Sequence, residues 1–293
     1  MKRDQFFKKA VSFLKKIYKH GGPLVREIKD TRIHDDVISF WNLGQAGILI
    51  KGREEDGLIC IDPYLSDSIE QINPDTEFKR GYPPVLSPVM LKDTDAIVIT
   101  HEHPDHLDFT TLREVGQNPF FVVPAPLVAN VQLETGNKNV VAAKGDEAFQ
   151  IKGFQITPVP AAHTSYQVDL EGNHQYLSYC IEVNGVRLFH SGDTIVTSEL
   201  IETVKEFKPH VVFLPINGAD YFRTSREIMG NMSYREAVEF SHTVGADLII
   251  PIHYDLFPNN RDNPAYFVDY LFAHYPYQKF HMMTPGERFI YHL

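Results

Sequence analysis

Thr100-His101-Glu102-His103-Pro104-Asp105-His106 is the stretch whose reading decides the fold. Directly before it, Asp95-Ala-Ile-Val-Ile99 is a β-branched run with the length of a buried strand. Such a strand delivers three imidazoles and a carboxylate onto a loop at its carboxyl end, where layered α/β proteins tend to carry their sites. These are ligand types that first-row divalent cations take up. His101 and His103, two apart on extended backbone, are expected to point to one side. Asp105 and His106, beyond the proline, are expected to turn toward a second position. A polar loop that merely happens to be rich in histidine is the plainer explanation. The density of H-x-H-x-D-H after an apolar strand argues against it.

The chain has 293 residues, enough for one large domain or two small ones. Its formal net charge of -10 argues against a nucleic-acid partner, which needs a basic face. Cys60 and Cys180 sit in apolar strand-like runs and read as buried free thiols, which fits a reducing cytoplasm. No apolar run approaches the roughly 18 residues of a membrane span. Residues 1–20 carry seven Lys/Arg against one Asp, with apolar residues at helical spacing, and predict a basic amphipathic helix. Such a helix suits either contact with an anionic membrane surface or docking on the body of the protein or another subunit. Docking is the preferred reading.

Residues 1–36 thus form an N-terminal extension, mostly polar from Gly21 to Asp36, and a single main domain spans 37–293. Val37–Trp41, Ile48–Lys51 and Leu58–Asp62 predict an antiparallel meander. Asp62-Pro63 closes its third strand and suits either a turn or a carboxylate aimed at the site. Residues 66–89, rich in proline, predict a long loop of the kind that is functional or mobile in a compact domain. A helix over Asp108–Val115 follows, then strands up to Gly153–Pro158, which leads to His163. Asn184-Gly185 turns a hairpin whose second strand runs into Ser191-Gly192-Asp193-Thr194. Ser198–Phe207 is helical, Ser233 and Glu236 form a capping box opening a helix to about Val244, and Asp247–Ile252 is a buried strand ending at His253. A helix over Pro264–His274 and a strand over Glu287–Tyr291 close the chain. The order of elements predicts an α/β (α+β) fold of two packed sheets with helices outside, a four-layer αββα sandwich.

Four strand-end positions converge: His101–His106, His163, Asp193 and His253. H-x-H-x-D-H, a lone His, Gly-Asp-Thr after a hairpin and a His after an apolar strand resemble the metal framework of the metallo-β-lactamase superfamily, from about residue 37 to the end. Within it the chain looks most like the UlaG-like L-ascorbate-6-phosphate lactonases. It shares Trp41-x-Leu-Gly-x-x-Gly-Ile48, Phe189-His-Ser-Gly-Asp-Thr194 and Ile250-Pro-Ile-His-Tyr-Asp255. It departs in Ile195-Val-Thr197, where that group has His-Tyr-Ser. The resemblance implies a first metal on His101, His103 and His163, a second on Asp105, His106 and His253, and Asp193 bridging. It implies two divalent ions, manganese or zinc with iron also admissible, and a homo-oligomer is compatible with it.

The reaction implied is lactone opening by a metal-activated water, with Asp105 and Asp193 as the catalytic carboxylates and Asp105 taking the proton. The alternative is a phosphodiesterase acting on a phospholipid or nucleotide diester. A third reading is a di-iron redox protein, which typically carries Glu where His103 stands. For a small anionic substrate, Arg223, Arg226 and Arg261 are the candidate anchors, with Asn217 and Tyr254 beside strand ends. Each is as readily an ordinary surface or packing residue. His190 reads as a structural or orienting histidine.

Overall fold

The computed structural model describes residues 17–293. Most of the basic helix expected over residues 1–20 lies outside the described residues; residues 17–20 are irregular. The polar stretch that follows is a correction: Gly21–Asp30 is a helix, α1. It lacks a side-chain N-cap, so the usual sequence cue for a helix start is absent. What holds it is one face, Leu24 and Ile28, packed in a cluster with the fully buried Trp41.

The first sheet is built from β1 (Val37–Gly44), β2 (Gly47–Lys51), β3 (Leu58–Ile61), β4 (Ala96–Val98), β5 (Phe120–Pro124) and β6 (Val140–Ala143). The second contains β7 (Phe149–Ile151), β8 (Phe154–Pro160), β9 (Leu177–Val183), β10 (Val186–His190), β11 (Val211–Pro215), β12 (Leu248–Ile252) and β13 (Lys279–Phe280). Strand β14 (Arg288–His292) returns to the first sheet and pairs antiparallel with β1, giving the order 14-1-2-3-4-5-6 beside 13-12-11-10-9-8-7. The β1–β3 meander is antiparallel as expected, and β3 to β6 run parallel.

Strand periodicity sorts the apolar residues into layers. Ile48, Ile50, Ile59, Ile61, Ala96 and Val98 face the second sheet, against Ile156, Ile181, Leu188, Phe213 and Ile250. The alternate residues Leu49, Cys60, Ile97 and Phe121 face outward onto helices that supply Leu24, Leu112 and Val131. On the far side Phe189, Val212 and Ile249 meet Leu200, Val238 and Phe267. Both faces of each sheet are covered, so the strands read as continuous apolar runs. The architecture is the four-layer αββα sandwich.

Two further corrections concern short helices. The 66–89 segment is not all loop, since Ser68–Ile72 is helical, and Val128–Thr135 forms a helix that the sequence did not announce. Among the described residues no helix is long and apolar enough to cross a membrane.

Candidate metal centre

The loops after β3, β4, β8, β10 and β12 leave the sheets at one edge, and the tight β1–β2 turn reaches the same edge. Both sheets contribute. His101, His103, Asp105 and His106 come from the loop after β4, and His163, Asp193 and His253 from the second sheet. Their approach needs glycine at one place: Gly192 has φ +56, and a Cβ there would lie 2.8 Å from Thr100 Cβ.

The seven expected ligands fall into two groups. His101, His103, His163 and Asp193 form one, and Asp105, His106 and His253 the other, with the ligand atoms of each group within 4.8 Å of one another. Asp193 lies between them. Its Oδ1 is 3.4 Å from His106 Nε2, and its Oδ2 is 3.3 Å from His253 Nε2 and 3.8 Å from His163 Nε2. The reason given for pairing His101 with His103 is corrected. Their rings do meet, with centroids 4.6 Å apart, but across a bend at Glu102 and His103 rather than on extended backbone.

The residues fit a bound cation. His101 Nε2, His106 Nε2 and Asp193 Oδ1 are buried with no hydrogen-bond partner. Leaving such atoms unsatisfied costs about 1–3 kcal/mol each, a cost that a cation among them removes. The second nitrogen of two imidazoles is held from behind. His106 Nδ1 lies 2.7 Å from Asp62 Oδ2, and His101 Nδ1 lies 2.9 Å from Thr100 Oγ1. Asp62 also accepts from Thr100 N and Oγ1, at 2.8 and 2.6 Å. A carboxylate behind His106 fixes the tautomer that leaves Nε2 free for a metal. Asp62, which the sequence left between turn and site, therefore orients a candidate ligand.

The charges diverge between the groups. Burial depresses His101 well below the usual imidazole range, aided by the neighbouring His106 and His103. Burial likewise takes His163 down to about 4, against the pull of Asp193. For His106 burial is outweighed by Asp193, Asp105 and Asp62, and its basicity rises well above the ordinary. His253 is raised in the same way, burial being outweighed by Asp193 and Asp105. Burial would raise both aspartates, but the surrounding histidines hold Asp105 and Asp193 ionised.

One residue of the centre escaped the sequence reading. Gln45 is 4% exposed, and its Nε2 donates to Asp105 Oδ2 at 2.7 Å and lies 2.8 Å from His253 Nε2. His190 holds the same turn: its Nε2 donates to Ala46 O at 2.9 Å while Nδ1 accepts from Gly192 N at 3.2 Å. It is structural, bonded to backbone at both nitrogens.

A cavity of about 300 Å³ opens onto His103, Asp105, His163, Asp193 and His253. Ile69, Phe78, Ile228, Met229 and Phe257 form its apolar wall, with Glu227 and Asn260 as further polar residues, and among the described residues no lysine or arginine lines it. The five substrate-side candidates lie around it rather than in it. Arg223 is committed to Asp220 and, at 2.7 Å, to Asn217 O. Arg226 pairs with Glu77 at 2.5 Å. Asn217 is buried and donates to Asn260 Oδ1 at 3.2 Å. Tyr254 and Arg261 line a separate cleft of about 910 Å³ that none of the seven ligands lines.

Comparison with known proteins agrees with this geometry. The family model for the beta-lactamase superfamily domain matches residues 59–254. A protein of Caldivirga maquilingensis named UPF0173 metal-dependent hydrolase is 26% identical over 230 residues, covering 78% of this chain and 88% of its own. UlaG of Escherichia coli O127:H6, named as a probable L-ascorbate-6-phosphate lactonase, is 21% identical over 281 residues, covering 83% and 77%. Among solved structures, the metallo hydrolase Igni18 of Ignicoccus hospitalis superposes with a TM-score of 0.62 at 21% identity, covering 88% of this chain and 99% of its own.

Proposed function

Since the chain belongs to the metallo-β-lactamase superfamily of metal-dependent hydrolases, we propose that it is a binuclear hydrolase that opens a lactone or ester. The observation that carries this reading is the pair of ligand groups meeting at Asp193. Two divalent ions bound there would lower the pKa of a water from about 15.7 toward roughly 7 and polarise a carbonyl. Asp105, held ionised beside His106 and His253, is placed to take the proton.

The cavity favours one kind of carbonyl substrate over another. L-ascorbate 6-phosphate is the reference substrate suggested by the likeness to UlaG, yet a phosphate held away from the metals would find no lysine or arginine among the described residues of the wall. An uncharged lactone or ester with a small apolar arm suits that wall better. Asn260 is its polar anchor. Arg223, which can only donate, and Asn217 Nδ2 both reach Asn260 Oδ1 at 3.2 Å, so the amide presents Nδ2 as the remaining donor. Arg223 and Asn217 thus bear on substrate through Asn260, and Arg226 by joining the two wall segments through Glu77.

The test is turnover by the manganese- or zinc-loaded protein on three substrates: an uncharged lactone, L-ascorbate 6-phosphate and bis(p-nitrophenyl) phosphate. Ring opening of the uncharged lactone is expected to dominate and to vanish in Asp193→Ala. Efficient cleavage of the diester alone would move the protein to the phosphodiesterases. Turnover that survives Asp193→Ala would sink the binuclear reading.

A further inference from the structure

Gln45 occupies a position that its backbone disfavours. It is the first residue of the tight β1–β2 turn and has φ +56, a conformation that glycine takes most readily. A non-glycine residue held there costs of order 1 kcal/mol, and such positions cluster at functional sites. The turn is fixed from the second sheet. His253 N donates to Gln45 O at 3.0 Å, His190 holds Ala46 O, and Tyr82 Oη accepts from Gln45 N at 3.3 Å. His253 itself has φ +57, so two unusual backbone corners, one from each sheet, face each other across a hydrogen bond.

The side chain repeats that convergence. One end of the buried amide lies 2.7 Å from Asp105 Oδ2 and 2.8 Å from His253 Nε2, two donor atoms of the second ligand group. An amide sits in the same volume with either its nitrogen or its oxygen forward. With no cation present, the lone pairs of Asp105 Oδ2 draw the N–H end forward. A cation that takes up those lone pairs reverses the preference, because a hard or borderline divalent ion accepts amide oxygen and not amide nitrogen. We propose that Gln45 is a metal ligand of the second ion, its side-chain oxygen joining Asp105, His106 and His253. This rests on the binuclear reading above.

Three proteins decide it: the wild type, Gln45→Gly and Gln45→Glu, each titrated with Mn²⁺ or Zn²⁺ and analysed for bound metal. Glycine removes the amide while relieving the backbone, so loss of fold does not confuse the result; melting of the metal-free proteins checks this. The wild type is expected to bind two ions. Gln45→Gly should keep one ion at wild-type affinity and bind the other more than about tenfold more weakly, the least that supporting partners of a metal are worth. Gln45→Glu should hold the second ion at least as tightly as the wild type. Two ions bound by Gln45→Gly at wild-type affinity would overturn the proposal alone. So would weakening by Glu equal to that by Gly, since a residue that only donates to Asp105 cannot be replaced by an anion. A wild type that binds a single ion would overturn the binuclear reading as well.

Discussion

The two ligand groups differ in what they hold before a metal arrives. In the first, His101 and His163 are pushed toward the neutral form by burial and by neighbouring histidines, so one ring nitrogen of each is already free of a proton near neutral pH. In the second, His106 and His253 sit among Asp62, Asp105 and Asp193 and hold protons that a metal must displace. Ligand types alike in sequence are set by their surroundings to opposite charge. The first group could accept a cation as it stands, whereas a cation bound to the second would displace protons.

The sharpest way to break this contrast is pH. Protons compete with metal at the raised histidines, so affinity for the second ion should fall as pH drops from neutral, by up to about tenfold per unit for each proton displaced. The first ion, whose ligands His101 and His163 are already lowered, should weaken less over the same range. Metal titration between pH 8 and 5 measures both, and two ions lost in parallel would erase the distinction. Next is Asp62→Ala, which removes the partner of His106 Nδ1 and leaves His101 with Thr100. Affinity for the second ion should fall about 10–100-fold, with the first little changed. Smallest is Arg226→Ala, which cuts a half-exposed ion pair with Glu77 worth no more than about 1 kcal/mol. A few-fold rise in KM with unchanged metal content is expected. A change in metal content would place Arg226 nearer the ions than the cavity geometry does.

What could be read in the sequence was whatever a local pattern carries. H-x-H-x-D-H after Ala96–Val98, Gly192-Asp193 after a hairpin and His253 after an apolar strand each declare themselves within a few residues, because ligands at strand ends need only a strand and a loop. Gln45 carries no such pattern. Its meaning comes from contact with His253, 208 positions away. Arg223 failed in the opposite way: a free-looking cation in the sequence is bound in the fold to Asp220 three residues before it. α1 was missed because packing on Trp41, not a cap, holds it.

Each ligand group takes donors from both sheets: His101 and His103 with His163 and Asp193, and Asp105 and His106 with His253. An ion in either group is therefore a rivet through the seam of the sandwich, set at one end of it. Drawing the rivets would leave that end to the hydrogen bonds that His253 and His190 make to the β1–β2 turn, so the metal-free molecule should loosen there first while the apolar seam holds the other end.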